Sequence, residues 1–171
     1  MYKCYYDLPV TTTPDPSEHS HWHHVFRLLD AMNADIARLY TERGITGVRP
    51  RFVGPLIRLG RRGGMTIRAL AESLDVTHSA MSQTVAALQR DGLVTTVPGA
   101  DARTREVVLT ERARELLPFL EAEWRATEEA VAELDAEVPY ALGQVARDLE
   151  AALARRSFHD RIADRLDRLE R

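Results

Sequence analysis

The sequence predicts a mostly α-helical protein with one small β-hairpin, and three observations lead there. Long stretches rich in Ala, Leu, Arg and Glu carry apolar residues at helical spacing, and aromatic residues make up only 6% of the 171 positions, a composition typical of helical chains. Between residues 93 and 109 the period changes, and two short β-branched runs flank a charged centre. Just before them, two short helical segments are separated by only Asp75 and Val76, a connection so tight that the helices must cross sharply.

Taken in order, residues 1–17 hold Pro9, Pro14 and Pro16 and read as an irregular arm. Trp22, Phe26, Leu29, Ile36 and Tyr40 then recur at helical spacing, predicting a helix over about Ser17–Arg43 within an N-terminal segment 18–49. A second helix is expected over Arg51–Leu59, ending before Gly60. Thr66 and Thr77 are N-cap residues of the next two helices. The first of these buries Ile67, Leu70, Ala71 and Leu74, and the second buries Met81, Val85 and Leu88. Gly92 is placed to close the second in the left-handed conformation. The runs 93–97 and 106–109 form a hairpin with a polar tip over 98–105, and Thr110 caps a long helix. After a break near Glu137–Pro139, a last helix is expected to carry one apolar stripe from Leu142 to Leu169.

The expected architecture is thus a winged helix-turn-helix core, residues 50–110, flanked by N- and C-terminal dimerisation helices, the latter over 111–171. The core is too small to cover the apolar faces of both sets of helices, so pairing with a second copy is expected, giving a two-fold homodimer.

Charge and cysteine content bound the function. The net charge of -3 argues against a non-specific coat on nucleic acid, but a local basic surface remains compatible with it. Lys3 is the only lysine, so nearly all positive charge is arginine. A single cysteine, Cys4, excludes an internal disulfide framework and fits a reducing compartment. With no membrane-length apolar run and no secretory start, a soluble cytoplasmic protein is expected. There is no glycine-rich phosphate loop or nucleophile elbow, and Cys4 has no identifiable base, so no enzyme and no cofactor are expected.

The chemistry points to double-stranded DNA. With Met81, Val85 and Leu88 inward, a step of about 100° per residue turns Ser79, Gln83, Ala86 and Arg90 outward, with His78 and Ser82 at the flanks. Such a face suits a major groove: Gln83 can pair with the N6/N7 edge of adenine, and Ser79 and Ser82 can reach a base or phosphate. The helix start at Thr77 favours a phosphate. Arg103 and Arg105 lie on the hairpin, where a slender ribbon can enter a minor groove, and Asp101 can hold the Arg103 fork. Arg51, Arg58, Arg61 and Arg62, together with Arg68, are candidate phosphate contacts. A solvated polar face is the plain alternative for each of these sets.

These residues resemble the MarR (multiple antibiotic resistance regulator) family of bacterial transcription factors. The matching run is Thr66-Ile67-Arg68-Ala69-Leu70-Ala71, Val76 through Val85, Leu88, Asp91-Gly92-Leu93-Val94, Asp101-Ala102-Arg103 and Val108-Leu109-Thr110 leading into Ala113. The resemblance extends over about residues 18–169 in the order and length of the helices. It implies a triangular homodimer with a recognition helix in each of two major grooves. Arg103 matches the wing-tip arginine and Asp101 the acid that orients it. Ser82 and Gln83 fall where many members have a Ser/Thr-Arg pair; Gln83 in place of arginine favours adenine over guanine. Such proteins usually repress nearby genes from pseudo-palindromic operators and are released by small aromatic or phenolic ligands.

For such a ligand the candidates are Trp22, Phe26, Tyr40 and Phe52, although aromatic residues at helical spacing also serve as core. The cluster His19, His21, His23 and His24 offers imidazole pairs at helical spacing, but no cysteine or carboxylate set completes a metal site, and none is expected. Cys4 has only Lys3 as a nearby cation and no resolving cysteine. A redox- or metal-responsive regulator of the same fold is the first alternative. A winged-helix partner-binding protein without DNA binding is the second.

Overall fold

The computed structural model describes Asp15, residues 20–99 and residues 104–171. The chain packs as two compact units, Met1–Phe52 and Val53–Arg171.

In the first unit, α1 spans His23–Glu42 rather than beginning at Ser17. Trp22 occupies the N-cap position with no side-chain hydrogen bond, and a turn from the His23 N–H to the Ser20 carbonyl precedes the helix. Tyr40, Val48 and Phe52 are buried. The guanidinium carbons of Arg49 and Arg51 lie 5.4 and 5.5 Å from the Phe52 ring centre, within cation–π range.

Helix α2 (Pro50–Arg62) starts on a proline, which lacks an N–H where a first-turn helix position needs none. It continues through Gly60, past the expected end at Leu59. The glycine serves packing rather than termination: a Cβ there would lie 2.5 Å from Leu117 Cδ1.

In the second unit, α3 (Ile67–Ser73), α4 (His78–Arg90) and α5 (Glu111–Glu137) begin in the same way. The hydroxyls of Thr66, Thr77 and Thr110 accept the N–H groups of Ala69, Ala80 and Ala113 at 3.1, 3.2 and 3.3 Å. Helix α4 closes with Gly92 at φ +69, donating to the Gln89 carbonyl while Leu93 donates to Leu88. The same bond pair closes α3, from Asp75 to Glu72 and from Val76 to Ala71, with Asp75 at φ +52 where α4 has glycine. This closure is what makes the connection between α3 and α4 short.

Strands β1 (Val94–Pro98) and β2 (Arg105–Leu109) pair antiparallel, in register from Val94 opposite Leu109 to Pro98 opposite Arg105. A third segment joins them, since Met65 exchanges both backbone bonds with Val107 at 3.1 and 2.8 Å. Leu70, Met81, Val85, Leu88, Leu93, Val107 and Leu120 supply buried core around this arrangement.

The expected single C-terminal helix is two helices, α6 (Leu142–Arg155) and α7 (Phe158–Leu169). Arg156 takes an extended conformation and Ser157 caps α7, accepting the Asp160 N–H at 3.1 Å. The Ser157 hydroxyl, and secondarily His159, hold the Asp160 carboxyl below the usual carboxylate range. Arg161 braces the corner by donating to the carbonyls of Arg156 and Ala152. Neither α6 nor α7 contains a buried residue. Among the described residues, no helix is long and apolar enough to cross a membrane.

Candidate nucleic-acid interface

The inner face of α4 is formed by Met81, Val85 and Leu88, with Ala87 also buried. That orientation leaves Ser79, Gln83, Ala86 and Arg90 exposed in one row, with Thr77 and His78 exposed at the helix start and Ser82 half-buried. The Thr77 hydroxyl serves the Ala80 N–H, which leaves the N–H groups of His78 and Ser79 at the helix mouth for an incoming acceptor.

The C-terminal end of α4 is held from two directions. Gln89 Nε2 donates to Thr96 Oγ1 on β1 at 3.0 Å, and Arg105 Nη2 donates to the Thr96 carbonyl at 3.3 Å from the facing strand. From α5, Arg112 Nη1 donates to the Asp91 carbonyl at 2.6 Å. Thr110 shares its hydroxyl proton between the carbonyls of Gly92 and Leu93, at 2.9 and 3.2 Å. Helix α4 is thus fixed to the β-hairpin and to the following helix at one end and open along its polar row, a geometry that suits a helix laid in a groove.

The arginines proposed for phosphate differ in how they are held. Arg61 is clamped by Glu121 through two bonds, whereas Arg68 makes one bond, 2.9 Å, to Glu72 on the same helix face. The Glu72 hydrogen bond, and then its charge, raise the Arg68 guanidinium above its ordinary value, so its positive charge is secure. Contact with phosphate by either arginine therefore exchanges one acidic partner for another. Arg105 is exposed at the start of β2; Asp101 and Arg103 lie outside the described residues.

Residues 56–104, from α2 into the wing, match the MarR family. In structure the chain is similar to the S. aureus MepR–DNA complex, at 16% identity over 80% of this chain and 96% of that one, with a TM-score of 0.55. It is also similar to a MarR protein from Peptoclostridium difficile, at 19% identity over 86% and 91% of the two chains, with a TM-score of 0.51. A probable transcriptional regulator from Pseudomonas aeruginosa is 25% identical over 77% of this chain and 95% of its own, with a TM-score of 0.49. No curated protein matches the chain.

The helices do not gather the four aromatic candidates into one pocket within the chain. Trp22 and Phe26 are 50% and 62% exposed on the first turns of α1, whereas Tyr40 and Phe52 are buried. At a rise of about 1.5 Å per residue, the helix sets Phe26 and Tyr40 roughly 21 Å apart. A cavity of about 310 Å³ lies instead among Gly60, Gly64, Val108, Arg114 and Leu117. His21 precedes α1, so it does not share a helical face with His24 as its spacing suggested. Among the described residues, no group of three metal-binding side chains occurs. His19 and Cys4 lie outside them. Sequence reading passed over Gln89, Thr96, Arg112 and Glu121, because each acts through a partner on another element and leaves no periodic signal.

Proposed function

We propose that the chain is a transcriptional repressor that reads a pseudo-palindromic operator in double-stranded DNA as a cytoplasmic homodimer. The observation that carries this reading is the exposed row Ser79, Gln83, Ala86 and Arg90 on α4, beside a hairpin that presents Arg105. In this docking Gln83 reads adenine, Ser79 and Ser82 reach a base edge or phosphate, and Thr77 and His78 bring the helix start to the backbone. Asp101, Arg103 and Arg105 serve the minor groove, and Arg68, with Arg61 after exchange of its partner, serves phosphates. The S. aureus relative's DNA complex supports the same use of the fold.

The dimer is supported by the C-terminal helices. Val145, Leu149 and Leu153 on α6 and Phe158, Ile162 and Leu166 on α7 are exposed in the single chain, and an apolar face of that extent favours burial against a second copy. Release by a small aromatic or phenolic ligand completes the proposal, with Trp22 and Phe26 the accessible aromatic contacts and Tyr40 and Phe52 as core.

Selection of bound duplexes from a random pool at two salt concentrations tests the reading. An enriched inverted repeat, with half-sites about one helical turn apart, is the expected result. Folded dimeric protein that enriches nothing at either salt would favour the partner-binding alternative.

A further inference from the structure

We propose that Gln89 and Thr96 are positioning residues that fix the spacing between the recognition helix α4 and the wing arginine Arg105, so that the major-groove and minor-groove contacts are read at one set distance. The inference rests on the DNA-reading assignment and goes beyond it, because neither Gln89 nor Thr96 is assigned to DNA.

Thr96 touches both reading elements. Its hydroxyl accepts the Gln89 amide of α4 at 3.0 Å, and its carbonyl accepts the Arg105 guanidinium at 3.3 Å. The strand that carries Thr96 is itself held, since Thr96 pairs with Val107 and Val107 bridges to Met65. The backbone route from α4 to β1 is the short turn Asp91–Leu93, which closes the helix but does not determine the angle at which the hairpin leaves. A side-chain bond from the last turn of the helix to the middle of the strand supplies that second point of attachment.

The spacing matters because a duplex presents its grooves at fixed intervals. Two contacts on a rigid frame accept one registry between the base edges under α4 and the narrow groove under the hairpin. Two contacts on a loose frame accept several registries, and pay an ordering cost at each.

The test uses the full chain and the operator obtained by selection, with a second duplex in which the A·T-rich segment under the wing is moved by one base pair. Wild type is expected to prefer the unshifted duplex. Thr96→Val, which keeps the branched shape and removes the hydroxyl, and Gln89→Ala, at an exposed position, are each expected to lose about three- to tenfold of that preference, the size of one net hydrogen bond. Thr96→Ser is expected to restore it. The double variant is expected to lose no more than either single one. Preference at the base under Gln83 is expected to stay unchanged in all of them, a separation that general loss of stability would not produce. Retention of the wild-type preference by both single variants, or additive losses in the double variant, would overturn the inference while leaving DNA reading intact. A wild-type protein that selects no sequence would overturn the DNA-reading assignment and this inference with it.

Discussion

Arg61 grips Glu121 through two parallel hydrogen bonds, Nε to Oε1 and Nη2 to Oε2, each 2.6 Å long. The fork-to-fork geometry ties the end of α2 to α5, and the Glu121 side chain is only 22% exposed. Arg68 and Glu72 are far more open to solvent and share a single contact.

Salt dependence should separate these two arginines. Arg68 can trade Glu72 for a phosphate at little cost, whereas Arg61 must leave a well-made bidentate pair. Arg68→Ala is therefore expected to reduce the slope of log affinity against log salt by about 1, the contribution of one phosphate. Arg61→Ala is expected to reduce it by less, because Glu121 competes with phosphate for the guanidinium. Titrations at four or more salt concentrations would check both, and equal reductions would reverse the assignment.

Base reading should be separable from groove-shape reading. Gln83→Ala is expected to relax preference at one adenine by roughly 1–3 kcal/mol while leaving binding to other sequences nearly unaltered. Arg103→Ala is expected to weaken binding most where the minor groove is narrow. Competition assays with single-base and A-tract variants of the selected duplex provide the measurement.

Dimer formation should depend on the exposed faces of α6 and α7. Leu149→Glu or Ile162→Glu places a charge on that face and is expected to yield a monomer by sedimentation with an unchanged helical signal. Operator affinity should then fall by about a hundredfold or more, because the second half-site is no longer engaged intramolecularly. A dimeric Leu149→Glu and Ile162→Glu double variant would place the interface elsewhere.

The turn between α3 and α4 carries a residue whose backbone prefers a different conformation. Asp75, at φ +52, occupies the position where α4 uses Gly92. Asp75→Gly is expected to raise unfolding stability by about 0.5–1 kcal/mol, and Asp75→Val to lower it by about 1–2 kcal/mol, since β-branched residues tolerate the left-handed region poorly. Urea unfolding followed by circular dichroism would measure both.

Local chemistry made the helix-turn-helix legible in advance. Thr66, Thr77 and Thr110 are caps that announce themselves by residue type, and Met81, Val85 and Leu88 carry the helical period. The break at Ser157 had a signal too, a serine followed three residues later by Asp160, but the apolar stripe running across it from Leu153 to Phe158 masked the stop. Gly60 works the opposite way: glycine signals a helix terminator, but at this position its lack of a side chain admits Leu117. The Met65 bridge and the Arg61–Glu121 pair were beyond sequence reading. A single paired residue has no period, and partners sixty positions apart in sequence meet only through the tertiary fold.

Thr110 has one further consequence, in the kinetics of opening. Its hydroxyl at once accepts the Ala113 N–H of α5 and donates to the turn that ends α4, while its own N–H donates to the Leu93 carbonyl at 3.1 Å. Neither the first turn of α5 nor the last turn of α4 can fray without releasing bonds in the other. Their amides should therefore exchange with solvent deuterium as one cooperative group, and any event that loosens the start of α5 should be visible as faster exchange at Gly92 and Leu93.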